Sequence, residues 1–136
     1  MKRLITLLLI VFAFSGCSND NDDTVQNPLI GKWKLVETRT LTFGGPDYVE
    51  DLSDQNITYT FDRKSNLTVN TNGKIETFKY QYKMDYFSGS PSSPDESKWP
   101  FVLIDNDRWT YFSFSPNEII IGKSYVDGSD LLLVKQ

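Results

Sequence analysis

Leu67-Thr68-Val69-Asn70-Thr71-Asn72-Gly73-Lys74-Ile75-Glu76-Thr77-Phe78-Lys79-Tyr80-Gln81-Tyr82-Lys83-Met84-Asp85-Tyr86 reads as a β-hairpin, and that reading decides the fold class. Asn72-Gly73 suits a two-residue type I′ turn, in which both central residues need φ > 0. Such a turn sets Thr71 opposite Lys74. Counting back along both strands then puts Leu67 opposite Phe78, and Val69 opposite Glu76, on one face. Phe78, Tyr80, Tyr82, Met84 and Tyr86 continue that face. Lys79, Gln81, Lys83 and Asp85 take the other. A period of two held over nine residues predicts a long strand with one apolar and one solvated side.

The same pattern extends outward in both directions. Upstream, Ile57, Tyr59 and Phe61 alternate with Thr58, Thr60 and Asp62, and Arg63-Lys64-Ser65-Asn66 turns the chain. Further back, a strand is expected within Ile30 to Phe43, with Trp33 and Leu35 on one side and Lys32 and Lys34 on the other. Gly44-Gly45-Pro46 ends it, and a polar loop is expected to run to Asn56. Downstream of a Ser/Pro/Gly loop, Ser88 to Lys98, strands are expected at Trp99 to Ile104, Trp109 to Phe114, Glu118 to Gly122 and Leu131 to Val134. Turns at Asp105-Asn106-Asp107, Ser115-Pro116-Asn117 and Asp127-Gly128 separate them. No segment carries a 3.6-residue period. The expected fold is all-β: an antiparallel up-and-down meander of about eight strands, which solves its edge problem by closing into a small barrel.

The start of the chain has a different character. Met1-Lys2-Arg3 is followed by an apolar run, Leu4 to Phe14, broken only by Thr6. The run is too short to span a bilayer, which takes about 20 apolar residues. It reads as a secretory signal core, with residues 1–16 removed. Ser15-Gly16-Cys17 resembles the lipobox of bacterial lipoproteins, which implies diacylation of Cys17 and cleavage just before it. Residues 17–28 then form a lipidated tether and residues 29–136 the barrel domain. Asp20, Asp22 and Asp23 give the tether a solvated acidic character. They also resemble the surface-export signal of Bacteroidota lipoproteins, which implies an outer-membrane protein facing outward, the periplasmic face being the alternative. Asp23-Thr24-Val25 resembles the short O-glycosylation site of exported proteins in that group, with Thr24 as acceptor.

Gly31-Lys32-Trp33, at the start of the first barrel strand, resembles the Gly-x-Trp motif of lipocalins. The resemblance implies that Trp33 packs across the closed end of a barrel, against a basic residue near the end of the last strand, the place of Lys135. The stretch Phe112 to Gly122, with Leu131-Leu132-Leu133-Val134-Lys135, is similar to the small lipocalin-like domains of Bacteroidota lipoproteins. The second lipocalin motif, around Thr-Asp-Tyr, has no counterpart in the later strands.

Composition narrows the function. Histidine is absent, so a Ser-His-Asp or Cys-His arrangement is excluded, and the commonest metal ligand is missing. Cys17 is the only cysteine, which excludes an intramolecular disulfide. Glu37, Glu50, Glu76, Glu96 and Glu118 are scattered over turns and polar strand faces. Glu76 stands apart because the hairpin register puts it on the Leu67/Phe78 face. Asp105-Asn106-Asp107 and Asp127-Gly128-Ser129-Asp130 lack the twelve-residue calcium loop and read as turns. Gly44-Gly45 leads to no helix and is not a phosphate loop. Cleavage before Cys17 removes Lys2 and Arg3 and takes the formal charge from −4 to −6. An acidic chain of this kind argues against a nucleic-acid partner. A non-enzyme without metal or cofactor is the expectation.

Two readings of the barrel stay open at this level. In one, Tyr59, Phe61, Phe78, Tyr80 and Tyr82 face a small apolar or amphipathic ligand. In the other, aromatic side chains fill the barrel, and the protein meets a protein partner through its rim loops, Phe43 to Asn56 and Phe87 to Lys98. Eight-stranded barrels are known in both states.

Overall fold

The computed structural model describes residues 26–136. Cys17, Asp20, Asp22, Asp23 and Thr24 lie outside the described residues. The described chain is nine antiparallel strands: β1 Gly31–Thr40, β2 Tyr48–Asp51, β3 Ile57–Phe61, β4 Asn66–Thr71, β5 Lys74–Asp85, β6 Trp99–Ile104, β7 Asp107–Ser115, β8 Glu118–Gly122 and β9 Ser129–Lys135. From β3 onward each strand pairs with the next, and β9 returns to pair with β1, which closes the barrel.

The strand count is nine rather than eight because one wall strand is in two pieces. β9 runs beside β1 from Trp33 to Thr40. β3 pairs with Gly31 to Lys34, and β2 pairs with Glu37 to Thr40. Both therefore lie on the side of β1 away from β9. The polar loop expected between Gly44-Gly45-Pro46 and Asn56 is corrected accordingly. It contains β2, all four of whose residues are exposed, so no apolar alternation marks it. Between the two pieces, Leu52 turns inward and is buried, and its N–H donates to Val36 O at 2.8 Å. Opposite that point, the β1–β9 register slips between Leu35 and Glu37. This β-bulge ends the simple alternation that Trp33 and Leu35 begin.

The hairpin that decides the fold class has the predicted register. Thr71 faces Lys74, Val69 faces Glu76 and Leu67 faces Phe78. Asn72 and Gly73 have φ of 53° and 95°, as a type I′ turn requires. Asp105 and Asn106, at 47° and 69°, form a second turn of this kind between β6 and β7. Asp105 is also tied to β5: its N–H donates to Lys79 O, and its carboxylate accepts the Lys79 N–H, both at 2.8 Å.

The end of the barrel where β1 begins and β9 ends is closed. Trp33 is 1 % exposed, and its indole N–H donates to Leu29 O at 2.6 Å. Leu29 is fully buried, so the turn before β1 plugs the barrel. Lys135 faces Trp33 in register, with its Nζ 5.3 Å from the ring centroid. Gly31 has φ of +134°, and a Cβ there would lie 3.4 Å from Lys135 Cε, so this position favours glycine. Phe61, Leu67, Tyr80, Val102, Tyr111, Ile119 and Leu133 pack on the same core. Fully burying one large apolar side chain is worth about 1.5–3 kcal/mol.

Candidate functional site

Strands alternate in direction, so the β4–β5 and β6–β7 turns lie at the end of the barrel opposite Trp33. There the side chains do not meet, and a cavity of about 420 Å³ remains. Leu67, Val69, Ile104 and Leu131 form its apolar wall, and Tyr59, Phe78 and Trp109 give it three rings. Thr71, Glu76, Asp105 and Asp107 stand at its mouth. The cavity is the consequence of strand positions, not of a special loop. Val69 and Phe78 are inward residues of the β4–β5 hairpin, and Trp109 faces Val102 across β6 and β7.

Of the five aromatics singled out as ligand-facing, Tyr59 and Phe78 line this cavity. Phe61 and Tyr80 instead meet each other edge to face in the filled half, with centroids 4.9 Å apart. The Tyr80 hydroxyl donates to Asp62 O at 2.7 Å and accepts from Asn27 Nδ2 at 2.9 Å, so its polar tip is used to hold the segment before β1. Tyr82 packs edge to face with Tyr111 at 5.4 Å. All five share the inward face, but position along the barrel axis separates lining from filling. Burial pushes the hydroxyls of Tyr59, Tyr80 and Tyr82 up from their ordinary pKa. At neutral pH Tyr59 therefore offers the cavity a hydrogen-bonding group and not a charge.

Trp109, Ile104 and Leu131 were expected as strand residues only. The signal for Trp109 was its even spacing from Tyr111, which places both on the inner face. Its Nε1 is buried from both solvent and cavity, with no hydrogen-bond partner among the described residues. Glu76 reaches the mouth because it pairs with Val69, and Lys74 Nζ approaches its Oε1 at 3.1 Å. Lys123 Nζ lies 2.7 Å from Asp107 Oδ1 and 5.1 Å from the Trp109 ring centroid.

The two long connections differ. The loop after β1 carries Phe43, whose side chain is fully exposed, with Leu41 before it and Tyr48 at the start of β2 also exposed. The loop after β5 is pinned at its start. Arg108 donates to Tyr86 O and Phe87 O and stacks on Phe101, its guanidinium carbon 3.6 Å from the ring centroid. Phe87 covers the same ring and touches Tyr125. The start of this loop is thus folded back on the barrel's outer wall.

No protein-family model, curated protein or solved structure matches this chain.

Proposed function

We propose that this protein is a lipid-anchored binding protein of the outer membrane whose barrel holds a small apolar or amphipathic ligand. The cavity carries this reading. At about 420 Å³ it falls in the range of small-molecule sites, and it has their usual make-up of apolar wall, aromatic rings and few polar groups. Cys17 is the proposed attachment point, and the acidic run Asp20, Asp22 and Asp23 supports display on the cell surface. The resemblance to lipocalin-like lipoproteins points the same way.

A neutral apolar probe, N-phenyl-1-naphthylamine, is expected to bind with one-to-one stoichiometry and to raise the melting temperature as its concentration rises. A ligand that binds only the folded state stabilises it by about 2.7 kcal/mol at 100 Kd. Leu131→Trp fills the space from β9 and is expected to weaken probe binding at least about tenfold, since a displaced ligand loses about 0.8 kcal/mol per methylene. Circular dichroism checks that the variant still folds. Absence of saturable binding to the wild type would sink the reading.

A second reading is favoured by Phe43. Its ring is fully exposed in a connection that also exposes Leu41 and leads to an exposed Tyr48, and clustered apolar residues of this kind mark protein contacts. It supports a protein partner at this rim loop. Phe43→Ser is expected to leave stability within about 0.5 kcal/mol of wild type. Under this reading it releases a co-purifying outer-membrane protein, and unchanged recovery of that protein counts against it.

A further inference from the structure

We propose that the cavity selects by charge, and that its ligand is an amphiphile with a positively charged head above an apolar chain or ring. This rests on the cavity being a ligand site and adds the chemistry of its mouth. The charged side chains that line the cavity, Glu76, Asp105 and Asp107, are all acids. Two of them have a lysine behind them. Lys74 pairs with Glu76 and Lys123 with Asp107. The Lys74–Glu76 pair is exposed, and an exposed pair is weak enough to yield to a competing group. Lys123 is only 26 % exposed and bonds both oxygens of Asp107, so that acid stays neutralised.

Asp105 differs. Its Oδ1 accepts the backbone N–H of Lys79, while Lys79 Nζ reaches Asn66 Oδ1 instead, at 2.5 Å. Asp105 has no cationic side-chain partner among the described residues. Its backbone is bound into the β5 ladder and the β6–β7 turn, so its carboxylate is held at the mouth. One uncompensated negative charge therefore faces whatever enters. Behind it stand the rings of Phe78 and Tyr59, whose faces attract cations, while Trp109 already has Lys123 Nζ 5.1 Å from its centroid. A fatty-acid carboxylate would set like charge against Asp105. An ammonium head would find an opposite charge there, with its chain on the apolar wall. At about 30 Å³ per water-sized group, the cavity of about 420 Å³ has room for about fourteen such groups, a chain of about ten carbons and its trimethylammonium head.

The test compares decyltrimethylammonium, decanol and decanoate, each below its micellar concentration, as competitors of N-phenyl-1-naphthylamine on the intact domain. Decyltrimethylammonium is expected to bind about tenfold more tightly than decanoate at low salt, the size of one Coulomb contact at partly screened range. The gap should narrow at high ionic strength. Asp105→Asn keeps the acceptor for Lys79 N–H and tolerates positive φ. It should close most of the gap while leaving decanol unchanged. Equal binding of all three in the wild type, or tighter binding of decanoate, overturns the charge selection and leaves the cavity reading standing. Failure of all three to displace or replace the probe removes the cavity reading itself.

Discussion

Trp33→Ala is expected to destabilise the domain by about 3–5 kcal/mol, the usual result of truncating a buried tryptophan. The ring is 1 % exposed and sits at the closed end of the barrel. Three contacts go with it: the hydrogen bond to Leu29 O, the packing that keeps Leu29 inside, and the cation of Lys135 over the ring. Total stability for a domain of this size is about 5–15 kcal/mol, so the variant should populate its unfolded state readily. Urea denaturation should show the midpoint falling, and the melting temperature should drop by roughly 12–20 °C. Lys135→Met is the companion. It removes only the cation over the ring, which is worth about 0.5–1 kcal/mol at an exposed edge. A loss below about 1 kcal/mol for Trp33→Ala would mean that this ring does not hold the barrel end closed.

Cys17→Ser is expected to abolish incorporation of labelled fatty acid and to leave the protein uncleaved or released from the membrane. The lipobox-like Ser15-Gly16-Cys17 at the end of a short apolar run motivates it. Two or more acyl chains anchor a protein stably on a bilayer, and losing them removes the whole anchor. Metabolic labelling and membrane fractionation read the result. Persisting label in the variant would refute the attachment. Protease shaving of intact cells addresses the facing of the wild type. Replacing Asp20, Asp22 and Asp23 with Asn should then protect the domain, if those residues direct export.

Local chemistry was the part of this protein easiest to read. Asn72-Gly73 admits one tight turn, and one turn sets the register of every residue in its hairpin, Glu76 included. Alternation from Phe78 to Tyr82 identified an inward face for the same reason: successive side chains on a strand must point opposite ways. β2 escaped because Tyr48, Val49, Glu50 and Asp51 are all exposed and so show no apolar period. Leu52 escaped because a single apolar residue in a polar stretch has no pattern around it. Leu29 likewise gave no signal of its own, although the barrel end closes over it.

By itself, then, the sequence determined that residues 29–136 form an all-β domain, which residues turn, and which side of the alternating strands is apolar. Each of those depends on neighbours in the chain, through backbone sterics and the two-residue period. Tertiary structure alone decided the rest. It brought β9 beside β1 to close the wall, set β2 and β3 along one edge of β1, and placed Glu76, Asp105 and Asp107 around one opening. It also decided that Phe61 and Tyr80 fill while Tyr59 and Phe78 line. Whether inward side chains meet depends on barrel radius and on how far each strand is staggered against the next. Those are properties of the closed sheet as a whole, and no single stretch of sequence carries them.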